Sequence, residues 1–236
     1  PAAAYGVMCV LYLTSAGMLL LLPPSVVRED VAESHVIEDM VEGIRYAWGH
    51  TRLRHLLIFF VGIMLIGFPH VTLIPGLLEN QLGRSAEDLP RMALFSAVGA
   101  LIASLSVTRY ADSNHATRIY SWLAVGFGGS LVLLSIMPGF AWAVVSMILI
   151  GGMSGGFHAL NGAVIARETE PSYMGRVMSL TLLAFAGFSL SALPLGMLAD
   201  RFGERAVLMG MGVGVIVMAS WMGTVVARDA QIHRSD

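Results

Sequence analysis

Apolar runs of roughly twenty residues recur seven times along the chain, and almost every charge falls between them. They cover approximately 3–22, 56–78, 92–108, 119–137, 141–166, 177–199 and 206–227. At ~1.5 Å of rise per residue, a helix of about twenty residues crosses the ~30 Å hydrocarbon core of a bilayer. Unpaired backbone groups are costly in hydrocarbon, so continuous runs of this length predict helices. Barrel strands would be shorter and would alternate apolar with polar residues. The expected fold class is an all-α membrane protein with seven transmembrane helices, arranged as one plus a six-helix C-terminal bundle.

One connection is long and polar. Residues 23–55 open with Pro23-Pro24 and carry much of the charge, which marks a linker after a first helix at 1–22. Within it Ile37, Met40, Val41, Ile44 and Trp48 recur at helical spacing, with Glu38, Asp39, Glu42 and Arg45 on the other side. An amphipathic helix follows, either lying along the membrane surface or packed on the bundle. The six-helix bundle is expected over 56–227 and a polar tail over 228–236. Its connections are short, so neighbouring helices run antiparallel and pack side by side.

Composition agrees with this pattern. Of 236 residues 56% are hydrophobic and 13% charged, with a mean hydropathy of +0.73, more apolar surface than a water-soluble core can hide. A net charge of -2 and the absence of a basic face exclude nucleic acid as a partner. Cys9 is the single cysteine and excludes an internal disulfide. The first run lacks a basic leader region and ends in Leu19-Leu20-Leu21-Leu22-Pro23-Pro24, so it reads as a span and not as a signal peptide. The chain begins at Pro1, from which an upstream portion is expected. All 14 basic residues are Arg. Placing 23–55 in the cytoplasm puts ten arginines inside and four (Arg84, Arg91, Arg201 and Arg205) outside, which the positive-inside rule prefers over the reverse.

Three stretches carry a family resemblance. They are Val41-Glu42-Gly43-Ile44-Arg45-Tyr46 leading into Arg52-Leu53-Arg54, Glu170-Pro171-Ser172-Tyr173-Met174-Gly175-Arg176-Val177-Met178-Ser179-Leu180, and Pro194-Leu195-Gly196-Met197-Leu198-Ala199-Asp200-Arg201-Phe202-Gly203. With the one-plus-six layout, the chain resembles the C-terminal half of a major facilitator superfamily transporter preceded by its sixth helix. The likeness points toward the branch with the enterobactin exporter, transmembrane secretion effectors and macrolide-efflux proteins. It implies alternating access, proton antiport, efflux of a small amphipathic molecule such as a siderophore or drug, and a bacterial inner (plasma) membrane. Implied partners are the small-molecule substrate, membrane lipid and an N-terminal half; no cofactor is implied. The superfamily's Gly-x-x-x-Asp-Arg-x-Gly-Arg latch is degenerate at Thr108-Arg109-Tyr110-Ala111-Asp112. It is better matched by Gly196, Asp200, Arg201, Gly203 and Arg205 on a loop that the arginine count places outside, so Asp200 and Arg201 are read as a helix-end charge set.

No carboxylate or arginine lies near the middle of a span, and a coupling carboxylate is therefore expected in the N-terminal half. His70 sits at mid-span between Pro69 and Pro75, where missing backbone N–H groups leave carbonyls in need of donors. It is either a substrate or proton contact or a packing histidine bonded to a freed carbonyl. His158 and Asn161 share a helix face behind Gly151-Gly152-Met153-Ser154-Gly155-Gly156, whose small-xxx-small frames admit a close helix crossing. His70, Thr72, His158 and Asn161 are the candidate substrate cavity. Arg167, Glu168, Glu170 and Arg176 crowd one loop and are either an inner gate, as the resemblance implies, or a solvated loop. Metal-ligand spacing, a Ser/His/Asp order and paired carboxylates are all lacking, so no enzyme, catalytic or metal site is expected. The rival readings are a transport-inactive membrane scaffold or remnant, and an importer of the same superfamily.

Overall fold

The computed structural model describes residues 2–20, 36–113 and 115–235, and all regular secondary structure among them is helical. Helix α1, Ala2–Leu20, belongs to a unit of its own. It is apolar around its circumference, and its Thr14 hydroxyl is satisfied by donating to the Val10 carbonyl at 2.7 Å. The second unit begins at Ile37 and holds everything that follows.

In that unit six helical segments are long and apolar enough to cross a membrane: Thr51–Gln81, Leu89–Thr108, Ala116–Ile136, Phe140–Arg167, Met174–Phe202 and Glu204–Val226. The chain is an integral multi-pass membrane protein. Its connections near residues 50, 109–115 and 168–173 gather at one end, here the linker end; those at 82–88, 137–139 and 203 gather at the far end.

Residues 21–35, with Pro23, Pro24 and Arg28, lie outside the described residues. The amphipathic helix expected in the linker is α2, Val36–Gly49. It meets the bundle through Gly43 and Ala47, and a Cβ on Gly43 would come within 3.2 Å of the Arg176 Cβ. Small residues let this helix approach closely, so Val41, Ile44 and Trp48 of the expected packing stripe are left exposed. Helix α3, Thr51–Ile66, starts four residues before the linker was expected to end at 55. Leu53 already belongs to the face that Leu56 and Leu57 bury, which extends the helix back through the charges of Arg52 and Arg54.

The first long segment is broken as its prolines foretell. α3 ends at Ile66, a turn passes through Gly67, Phe68 and Pro69, and α4, His70–Gly76, continues into a π-helical turn over Leu77–Gln81. Helices α5 (Leu89–Thr108), α6 (Ala116–Ile136), α7 (Phe140–Arg167), α8 (Met174–Phe202) and α9 (Glu204–Ser235) complete the unit. The tail expected at 228–236 is thus helical as far as Ser235.

Glycines set the two closest crossings. On α7, Gly151 lies on the Ser96 carbonyl of α5, and a Cβ on Gly155 would stand 2.7 Å from Ala100. The Gly151–Gly156 frames thus serve the α5–α7 contact. Between α6 and α9, Cβ atoms on Gly128 or Gly212 would each meet the other's carbonyl oxygen at 2.6 Å. Gly203 takes φ +84°, a conformation open to glycine, and so lets α9 start directly after α8. The core is aromatic at its centre, where Phe59, Phe60, Tyr120, Phe127 and Phe157 are fully buried. Helices α5 and α8 bury few residues and leave Leu101, Leu105, Leu190 and Leu193 exposed.

Candidate functional site

The broken segment determines what His70 does. In the turn that ends in Pro69 the Gly67 carbonyl accepts the His70 backbone N–H at 3.3 Å, and His70 Nδ1 lies 2.8 Å from the same oxygen. Because a carbonyl only accepts, Nδ1 carries the proton of this bond. The ring is buried, 5% exposed, with its edge toward Phe127 at 5.6 Å. Thr72 faces away on the exposed side, its hydroxyl donating to the Pro69 carbonyl at 2.7 Å. Each side chain thus adds a second bond to a turn carbonyl that already accepts a backbone N–H, at Gly67 and at Pro69, on opposite sides of the segment.

His158 lies inside an aromatic cluster drawn from three segments. Its ring is stacked on Phe185 of α8 at 5.1 Å and stands edge-on to Phe68 at 4.6 Å and to Phe60 of α3 at 6.2 Å. Phe68 in turn touches Phe127 at 5.3 Å, so a run of rings joins His158 to His70. Asn161 points elsewhere. It accepts a hydrogen bond of 2.8 Å from the Tyr120 hydroxyl of α6, in a buried setting where Tyr120 also stacks on Phe157 at 4.3 Å. Of the four expected cavity residues, His70 and His158 are linked through aromatic rings, Asn161 fastens α7 to α6, and Thr72 stands apart. Sequence reasoning missed Phe60, Phe68 and Phe185, since an isolated phenylalanine in an apolar run carries no signal of its own.

At the linker end Arg167, Glu168 and Arg176 find partners outside their own loop through their side chains, and Glu170 does so through its backbone N–H. Arg176 donates from Nε to Asp39 at 2.8 Å and pairs with Glu42 at 3.2 Å, both on α2. Its guanidinium lies 5.6 Å from the Tyr173 ring centre, and Tyr173 stacks on Tyr46 of α2 at 4.1 Å. The Glu170 backbone N–H donates to the Tyr46 hydroxyl at 3.1 Å. Glu168 pairs with Arg52 of α3 at 3.4 Å, and Arg167 donates to the Ser113 carbonyl in the α5–α6 connection. The arrangement is a strap: α2 is clamped onto the first turn of α8 by two ion pairs of Arg176 and onto the α7–α8 connection by a tyrosine stack. The alternation of Asp39 and Glu42 with apolar residues was the available signal, but it reads equally well as a solvated face.

At the far end Asp200 and Arg201 are exposed, and Arg201 lies 5.5 Å over the Phe202 ring. Their neighbour Glu204 is buried, only 8% exposed, as is Asp88 just before α5, which pairs with Arg84 and Arg91. Asn80 Nδ2 donates to one Glu204 carboxylate oxygen and Gln81 Nε2 to the other at 3.5 Å. Glu204 also opens α9, where the helix dipole favours an anion. This contact ties the π-helical end of the broken segment to α9.

No curated protein and no solved structure matches the chain significantly. Residues 1–186 match the family model of the Major Facilitator Superfamily, and the chain belongs to that superfamily of membrane transporters.

Proposed function

We propose that the chain is the C-terminal part of a proton-coupled exporter for a small amphipathic molecule, working by alternating access in a bacterial inner membrane. In this reading α1 is a seventh span, the arginine-rich linker end is cytoplasmic, and the six-helix bundle rocks against a second bundle. The apolar surfaces left exposed on α5 and α8 support such a neighbour. The likeness of the three sequence stretches supports the enterobactin-exporter branch.

The observation that carries the proposal is His158: a polar ring at mid-span, surrounded by Phe60, Phe68 and Phe185. Such a site suits a substrate with an aromatic or apolar face and a single hydrogen-bonding group. His70 and Asn161 then serve as supports, one closing the break before α4 and the other fixing the α6–α7 contact. Arg167, Glu168, Glu170 and Arg176 act at the inner gate through their bonds to α2, α3 and the α5–α6 connection. Asp200 and Arg201 remain a helix-end charge set.

The test is efflux of a fluorescent amphipathic dye from cells expressing the full-length protein. His158→Ala and Phe185→Ala are expected to lower the efflux rate severalfold at unchanged membrane abundance, and a protonophore to abolish efflux in the parent. Dye retention equal to that of the parent in both variants would remove this cluster from the substrate path. Uptake in place of efflux would select the importer reading.

A further inference from the structure

One polar atom at the linker end has no partner in the bundle. His55 stands one turn along α3 from Arg52, so the two share a face. The His55 ring is set edge-on against Trp221 of α9, with ring centres 5.5 Å apart. Its Nδ1 is buried, and among the described residues no hydrogen-bond partner meets it. A buried ring nitrogen is costly to leave in that state.

His55 lines a small cavity with Arg52, Leu56, Thr117, Glu168 and Met222. The centre of a water molecule has about 10 Å³ to occupy there, which is room for a single molecule. The polar groups around it come from three helix ends. Thr117 is the second residue of α6, so no carbonyl of its own helix lies one turn back to take its hydroxyl, in the way that Leu105 takes that of Thr108. Glu168 follows α7; one of its oxygens pairs with Arg52 at 3.4 Å, and a carboxylate has lone pairs to spare for a second donor.

Charge selects the occupant. Arg52 and Glu168 offset each other, so a cation is opposed by one and an anion by the other. His55, Thr117 and Glu168 together offer both donors and acceptors. The neutral molecule that fits this space and both donates and accepts is water, which is held in a protein by about two to four polar partners.

We infer that this cavity is a binding site for one water molecule, which bridges His55 Nδ1, the Thr117 hydroxyl and the Glu168 carboxylate. The water joins the N-terminal ends of α3 and α6 to the C-terminal end of α7, against α9, and holds Glu168 where Arg52 meets it. The inference is independent of substrate and transport direction.

The experiment is X-ray footprinting of the full chain in nanodiscs, read as methionine sulfoxide by mass spectrometry. X-rays split a bound water into radicals where it sits, and a radical scavenger in the bulk removes those that diffuse in from outside. Met222 lines the cavity and is 3% exposed, whereas Met64 and Met92 are fully buried in core packing. With scavenger present, Met222 is expected to oxidise severalfold faster than Met64 and Met92. His55→Asn keeps a polar atom at the place of Nδ1 and should keep this excess. His55→Phe retains a ring against Trp221 without the nitrogen, and Thr117→Val retains the side-chain shape without the hydroxyl. Each should lower the excess severalfold, and the two combined should bring Met222 to the level of Met64. Slow oxidation of Met64 in every variant shows that the core has stayed packed. Oxidation of Met222 no faster than that of Met64 in the parent would overturn the site, and an excess that survives the combined variant would overturn the bridge from His55 to Thr117.

Discussion

The crossing of α6 and α9 is the place where a single methyl group has the most predictable effect. In Gly128→Ala the new Cβ would stand 2.6 Å from the Gly212 carbonyl oxygen, 2.8 Å from Ile216 Cγ1 and 3.0 Å from the Ile216 nitrogen. Ordinary contact begins near 3.4 Å, so the helices must separate by about 0.8 Å. Two of the three atoms are backbone, which excludes relief by a rotamer change. A gap of 0.5–1 Å forfeits roughly a quarter to a half of the dispersion energy of the atoms that face it, and Leu131 and Val215, both fully buried in the core, are among those affected. The expected cost is about 1–3 kcal/mol. Gly212→Ala meets the same obstacle from the other side, with Val132 Cγ2 at 2.7 Å. One separation relieves both methyls, so the double variant should cost less than the sum, by about 1 kcal/mol. Gly129→Ala is the control, because nothing lies within 4 Å of its Cβ. Equilibrium unfolding of the full chain in mixed detergent and SDS micelles measures all four. If Gly128→Ala unfolds at the same SDS fraction as Gly129→Ala, or if the double variant is additive, backbone contact does not govern this crossing.

Other perturbations are equally specific. Tyr120→Phe deletes the donor to Asn161 and should destabilise the bundle by about 0.6–2 kcal/mol in the same unfolding assay; Asn161→Leu in the Tyr120→Phe background should cost less than in the parent. Glu204→Gln removes an ionised acceptor shared by Asn80 and Gln81, with an expected loss of about 1.5–3 kcal/mol, and hydrogen exchange should rise in 70–81 before it rises in α6. Arg176→Gln should free α2 from the first turn of α8, read as a broader spin-label distance distribution between α2 and α8, and Arg176→Asp combined with Asp39→Arg should narrow it again. Because these ion pairs are about one-third exposed, high salt should widen the same distribution in the parent.

The division between what was legible in the sequence and what was not follows the range of the interactions. Hydrophobic run length depends on the bilayer, a uniform solvent, so the spans could be placed to within a few residues: 119–137 against Ala116–Ile136, and 141–166 against Phe140–Arg167. The break near His70 was legible too, because proline acts on its own backbone and on carbonyls one turn away. Gly151–Gly156 announced a close crossing, though not that its partner would be Ser96 and Ala100 of α5.

Partnership across the bundle was hidden. Asp39 and Glu42 occupied the polar side of a linker helix with no sign that Arg176, more than a hundred residues later, would take both. The stripe of Val41, Ile44 and Trp48 suggested the packing face of α2, yet Gly43 and Ala47 hold it, since what decides is how near two backbones can come and not how apolar a side chain is. Glu204 passed unnoticed behind Asp200 and Arg201, because its burial comes from Asn80 and Gln81, which only the fold brings to it.

The sequence by itself therefore determined that the chain crosses a membrane as helices, where six of them lie to within a few residues, and that the first long segment breaks at its prolines. These features depend on local backbone chemistry and on transfer to lipid. Tertiary structure alone decided which rings surround His158, which acids clamp Arg176 and which amides hold Glu204 at the far end. Those outcomes depend on side chains from distant segments meeting at a few ångströms, a distance that hydrophobic pattern does not encode.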